Sequence, residues 1–189
     1  MTRSEQRESA CIYTVGHGSR ALAELTHLLE HHGIACLIDV RAHPGSRRYP
    51  HFSRAELAES LPVRAVEYVW EGDALGGRRR PQPDSAHTAL RNPSFRAYAD
   101  HMQTATFKDG VNHLLERASG SRVAIMCAER LPWQCHRFLI ADYLVAHGTC
   151  VLHIIDESPV REHRPHAVAR TQGDDVIYDR KTQIGLDLG

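Results

Sequence analysis

Residues 35–41, ACLIDVR, form a continuous apolar run closed by Asp39 and Arg41, the pattern of a strand buried on both faces. Working outward, the same kind of unit recurs on either side. Upstream, ALAELTHLLEHH (21–32) sets Leu22, Leu25, Leu28 and Leu29 on one helical face, with Ser19 as the expected N-cap and Gly33 as the expected C-cap. Before it, CIYTVGH (11–17) has the β-branched and aromatic character of a strand and stops at Gly16. Downstream, SRAELAESL (53–61) opens on Ser53 with Glu56 three residues later, a capping box. VEYVWEG (66–72) is a third strand.

Further along, DALGGRRRPQPDSAHTALRN is polar and rich in Gly, Pro and Arg, and predicts a long loop over 73–92. Residues 93–119 open on Pro93 and predict two helices broken near Lys108 to Gly110. RVAIMCAE (122–129) is a fourth strand, CHRFLIADYLVAHG (135–148) a strongly amphipathic helix ending at Gly148, and TCVLHIID (149–156) a fifth strand. In the polar tail, DDVIYD (174–179) predicts a short edge strand. Alternating strands and helices imply a mainly parallel sheet with helices on both faces and right-handed crossovers. The expected fold is a single doubly wound, Rossmann-like α/β domain over 11–180, with a partial barrel as runner-up and flexible ends at 1–10 and 181–189.

The 189 residues suffice for one sizeable core but not for two comfortable domains. Lys plus Arg equals Asp plus Glu at 23 each, so bulk charge argues against general polyelectrolyte or membrane binding and any binding must be local. No stretch has the roughly 20 apolar residues that span a bilayer, and MTRSEQRESA lacks the apolar core of a signal peptide, so a cytoplasmic location is expected. Five cysteines, an odd number, argue for reduced thiols, with Cys11, Cys36 and Cys150 packed as small apolar residues.

Ligands of open parallel sheets bind beyond the carboxyl ends of the strands. Here those ends carry Gly16 and His17, Asp39 and Arg41, Glu71, Cys127 and Glu129, and Asp156 and Glu157. The densest cluster is MCAERLPWQCHR (126–137), where a strand-end thiol precedes a helix that starts with Cys135, His136 and Arg137. Helix-start amides and a nearby cation stabilise a thiolate or a bound anion. The loop of cysteine phosphatases and sulfurtransferases needs Arg six residues after the strand-end Cys, and position 133 is Trp, so that motif is excluded. Zinc is disfavoured because Cys135 and His136 are adjacent and would diverge in a helix. A Cys-His nucleophile pair, using His17 or His136, stays open. A second cluster, DVRAHPGSRRYPHF (39–52), joins Arg41, His43, Arg47, Arg48 and His51 to Tyr49 and Phe52, a combination suited to phosphate plus a stacked base. LGGRRR (75–80) adds glycines and three arginines.

YTVGHGSR, DVRAHPGSRRYPHFS, LGGRRR, NPSFRAYADHMQT and, above all, MCAERLPWQCHRFLIADYL resemble the blocks of an uncharacterised family, "domain of unknown function 488". The resemblance runs from about residue 12 to 156. It marks Gly16, His17, Asp39, Arg41, Pro44, Ser46, Gly76, Gly77, Cys127, Glu129, Cys135, His136 and Arg137, and implies an α/β fold with a shared pocket but no reaction. Gly18 departs from the family, which more often has serine there.

The leading expectation is an enzyme whose strand-end pocket holds an anionic, phosphate-bearing small molecule, nucleotide or nucleic acid, without membrane contact. Cys127 would be nucleophile or proton donor, Glu129 or Asp39 an acid/base or the partner that orients His17. Arg41, Ser46, Arg130, Cys135, His136, Arg137, Gly76 and Gly77 would surround the anion. No cofactor is expected; a metal, if present, would sit on Cys127, Cys135 and His136. The alternatives are a non-catalytic nucleic-acid-binding module built on loops 41–54 and 75–81, and a Cys/His metal protein.

Overall fold

A computed structural model describes residues 11–45 and 48–180; the expected flexible ends and Ser46 lie outside the described residues. The five expected strands are present as β1 (Ile12–Gly16), β2 (Cys36–Asp39), β3 (Glu67–Trp70), β4 (Val123–Cys127) and β5 (Val151–Ile154). All five are parallel, in the order β3-β2-β4-β1-β5, and a two-residue antiparallel strand β6 (Arg161–Glu162) finishes the sheet beside β5. The sheet is open, so the barrel alternative falls away.

Helices α1 (Leu22–His31) and α2 (Arg54–Ser60) cover one face, where Leu25, Leu29 and Leu57 pack with Val15, Leu37 and Met126. A single turn, α3 (Gly72–Leu75), precedes the long loop; then α4 (Pro93–Met102), α5 (Ala105–Ala118) and α6 (Arg137–Ala146) cover the other face. No helix among the described residues is long and apolar enough to cross a membrane.

Local chemistry sets several element ends. The Ser53 hydroxyl accepts from the Glu56 amide at the start of α2, one half of the expected capping box, while the Ser53 amide donates to the Pro50 carbonyl rather than to the Glu56 side chain. The N-cap of α1 is Ala21 rather than Ser19, with the Glu24 carboxylate closing back on the Ala21 amide at 2.6 Å, and Gly33 follows the helix at φ +63°.

Four expectations need correction. The break in 93–119 falls at Gln103 and Thr104, not at Lys108–Gly110, and the Thr104 hydroxyl caps α5 by accepting from Phe107. Gly110 lies inside α5 because a Cβ there would sit 2.6 Å from Ala74 Cβ, so the glycine lets α5 close on α3. Helix α6 is buried nearly all round rather than amphipathic, being wedged between the sheet, α4 and the C-terminal hairpin. The 174–179 segment is not an edge of the main sheet: β8 (Asp175–Tyr178) pairs with β7 (Ala169–Gln172) in a separate hairpin. Finally, Cys11 and Cys150 are not free thiols but form a disulfide between chain segments at the amino ends of β1 and β5, leaving Cys36, Cys127 and Cys135 free among the described residues.

Candidate active site

From β1 the chain moves out through β2 to β3, then returns to β4 and passes β1 to reach β5. The strand order therefore reverses between β2, which leads outward to β3, and its neighbour β4, which leads the other way to β5, and doubly wound sheets open a crevice at such a point. Gly16, the last residue of β1, stands opposite Cys127, the last of β4. A Cβ on Gly16 would lie 1.8 Å from the Glu129 carbonyl oxygen, so only glycine lets the loop after β4 fold this closely over β1.

That loop turns through Pro132–Gln134 and enters α6 at its N-cap, His136. Cys135 is extended (φ −143°, ψ 170°) whereas His136 is near-helical, so the two side chains do not diverge as neighbours inside a helix would. Both thiol sulfurs and a ring nitrogen of His136 lie within 4.8 Å of one another. They open on a cavity of about 270 Å³. Its walls come from Arg41, Ala42 and His43 after β2, Gly77 and Arg78 of the long loop, Ser94, Phe95 and Tyr98 of α4, and Cys127, Ala128, Glu129 and Gln134 beside the Cys135–His136 pair.

Cys127 donates to Glu129 Oε2 at 2.9 Å. Its hydrogen bond to Cys135, reinforced by burial, pushes the Cys127 thiol well above the usual range. Cys135 moves the other way. Burial opposes its ionisation, but the Cys127 donor, the Arg137 guanidinium and the Arg137 main-chain amide outweigh burial and lower its pKa. The Cys127 sulfur holds its proton towards the Glu129 carboxylate, and Cys135, beside the Arg137 charge, is the more readily ionised thiol of the two. His136 is lowered to about 4, chiefly by burial, and is neutral near pH 7. Its Nε2 donates to the Val40 carbonyl at 2.9 Å, which leaves Nδ1 with its lone pair, next to Gly77.

Several expected partners stand elsewhere. His17 does not share the pocket with Cys127: side chains alternate along strands, and His17 emerges on the α1–α2 face, stacked on Phe52 with ring centroids 4.3 Å apart. Desolvation, then the Arg41 charge, lowers it to about 4; Nδ1 donates to Gly18 O and Nε2 accepts from Arg41 Nη1. Asp39 is fully buried and does not line the cavity. It accepts from Arg41 Nε at 2.8 Å and Nη2 at 2.6 Å, and from the Tyr68 hydroxyl at 2.8 Å. Arg41 reaches the wall with its charge already matched.

Arg130 points away, into a second cavity beside α1 that it shares with Arg20 and Glu24. Arg137 is buried behind the thiols, where its Nη2 donates to the Glu129 and Arg130 carbonyls and its Nε and Nη1 have no acceptor among the described residues. Gly76 is not a wall residue either; a Cβ there would lie 2.2 Å from Gly72 O. Phe52 is core, unavailable for stacking a base.

Of the other wall residues, His43 and Arg78 belong to the two basic clusters expected to meet phosphate, whereas Ser94, Phe95, Tyr98 and Gln134 were not among the candidates. The available signal was the Phe95–Tyr98 spacing just after Pro93, which places two aromatics on one face at the start of a helix. Arg78 has φ +62°, a left-handed conformation uncommon outside glycine and concentrated at functional sites.

No curated protein and no solved structure matches the chain. A family model described as "Domain of unknown function DUF488" matches residues 21–144, which span α1 through most of α6 and carry every wall of the cavity. With that match covering most of its length, the chain belongs to the DUF488 family.

Proposed function

We propose that the protein is an enzyme acting on an anionic, phosphate-bearing substrate, a nucleotide or nucleic-acid end, held in the Cys127–Cys135 pocket. One observation carries the reading: two thiols, the Glu129 carboxylate and the His136 ring converge on a cavity whose rim bears Arg78 and Arg41. The first turn of α4 also faces the cavity through Ser94, and the positive end of a helix favours an anion. In this reading Cys135 is the thiolate nucleophile, Cys127 the proton donor, and Glu129 receives and returns the proton through its 2.9 Å contact with Cys127. His17, Asp39 and Arg137 act as positioning groups behind the wall, and Arg130 takes no part.

Cys127 and Cys135 are nearly inaccessible except through the cavity, so an occupant shields them. The test is iodoacetamide alkylation of chelator-treated protein, resolved site by site, with and without inorganic phosphate, nucleotides or short single-stranded DNA. Cys135 is expected to react first and to be protected by at least one of these anions. A Cys135 inert in the folded protein, or one that no anion protects, defeats the reading. Protection by DNA alone, vanishing steeply with salt and with no turnover, would favour the binding-module alternative.

The reading keeps the protein in the cytoplasm, where reducing conditions hold the pocket thiols free. Recovery of the Cys11–Cys150 bond intact from cells lysed in a thiol-trapping reagent would argue for an oxidising compartment.

A further inference from the structure

We propose that Cys127, Cys135 and His136 form a binding site for one divalent ion of the zinc class, its fourth position opening onto the pocket beside Glu129. The proposal rests on the same pocket and names its cofactor. Two soft thiol donors with one imidazole are the ligand set that selects such ions over magnesium or calcium. Donors bonded at 2.0–2.3 Å to a tetrahedral ion stand about 3.4–3.8 Å apart. The three donors here all lie within 4.8 Å of one another, so closing on an ion takes movements of about 1 Å.

Two further observations point to an ion. His136 Nε2 is fixed by the Val40 carbonyl, the outer hydrogen bond that orients a metal-bound histidine and frees its other nitrogen. That nitrogen, Nδ1, faces Gly77, where a Cβ would come within 3.0 Å of it, so glycine keeps the approach open.

Three protein ligands with an open fourth position are the arrangement of catalytic rather than structural sites. With an ion bound, Cys135 and Cys127 would serve as ligands in place of the nucleophile and proton-donor roles they have in the ion-free pocket, and the ion would supply Lewis-acid polarisation of a substrate or water oxygen, with Glu129 adjacent for proton transfer. The adjacency of Cys135 and His136, which argued against a metal from sequence, is resolved by the extended backbone at Cys135.

The deciding experiment is titration of cobalt(II) into reduced, chelator-treated protein purified without a metal-affinity tag. One equivalent is expected to raise the thiolate-to-cobalt charge-transfer band and the intense visible bands of a tetrahedral ion, both bleached by one equivalent of zinc. Cys127→Ser and His136→Gln should each weaken binding by more than the roughly 10–100-fold that losing a mere orienting partner costs. Cys36→Ser, which removes an unrelated buried thiol, should leave the spectrum unchanged. Folded wild-type protein without these bands, or bands that survive both ligand substitutions, overturns the site. If cobalt fails while anions still protect Cys135, the metal falls alone and the thiolate enzyme stands.

Discussion

Arg137 reaches from the first turn of α6 to the loop after β4, donating to the Glu129 carbonyl at 2.8 Å and the Arg130 carbonyl at 2.9 Å. One side chain thus ties the loop that carries Glu129 to the start of α6, two residues beyond Cys135, and places a positive charge behind both thiols. Arg137→Met keeps the volume and loses both functions. Expected are a stability loss of about 1–3 kcal/mol from the orphaned carbonyls and slower alkylation of Cys135 at fixed pH. Urea unfolding and site-resolved mass spectrometry read the two effects separately; alkylation at the wild-type rate would remove Arg137 from the electrostatics of the pair.

Gly76 and Gly77 are neighbours with different jobs. Gly76→Ala forces a Cβ against the Gly72 carbonyl and Ala42 and should cost about 1–3 kcal/mol. Gly77→Ala meets only the edge of the His136 ring, so its melting temperature should stay close to wild type while anion protection of Cys135 weakens. Equal destabilisation by both would make Gly77 a packing residue.

A second buried network lies away from the pocket. Asp142 Oδ1 accepts from His163 Nε2 at 2.8 Å and from the His166 amide at 3.0 Å, and Oδ2 accepts from the Tyr178 hydroxyl at 2.8 Å. His163 then contacts His153 at 2.9 Å, and His153 the Thr14 hydroxyl at 2.7 Å. The chain links α6, β5, β1 and the C-terminal hairpin. Asp142→Ala should cost about 3–5 kcal/mol, the penalty for breaking a buried charged cluster, and Tyr178→Phe about 1.5–3 kcal/mol. Chemical denaturation with unchanged m-values checks both.

Stability should fall as the pH drops below about 6.5. Burial, then Arg41, lowers His17 to about 4; burial, then His163 and Arg137, lowers His153 to about 3. Above 6.5 both rings are neutral folded and unfolded, and they contribute no slope. Below it the unfolded chain takes up protons that the folded chain refuses until pH falls past 4 and 3. With His136, which burial also lowers to about 4, three such rings give at most about 4.1 kcal/mol per pH unit. Unfolding free energies measured between pH 7 and 5 should show this slope, and His153→Gln should remove roughly a third of it; a flat profile would contradict the burial of these rings.

The central strands and α1 and α2 were legible because their signals are local: apolar runs bounded by turns, and Ser53 three residues before Glu56. Helix α6 was misread because amphipathicity presumes a wet side, and α6 packs against a hairpin 30 residues away in sequence. Gly110 looked like a break because its partner, Ala74, cannot be foreseen from its own neighbourhood. The pocket was half legible for a similar reason. Strand order is non-local, and residues 127, 129 and 130 follow one another in the chain yet face two different cavities. Arithmetic on the cysteines likewise could not show that β1 and β5, far apart in sequence, lie side by side.

The Cys11–Cys150 bond closes a covalent loop across a sequence separation of 139 residues, inside which lies the whole pocket. Under tension applied at its two ends, the polypeptide can lengthen only outside that loop, withholding roughly 460–500 Å of contour. An unfoldase that grips the chain beyond Cys150 could strip away the C-terminal hairpin and β5 but would then have to thread two strands abreast or wait for reduction. Mechanical degradation of this protein is thereby made conditional on thiol chemistry at the far end of the sheet from its pocket.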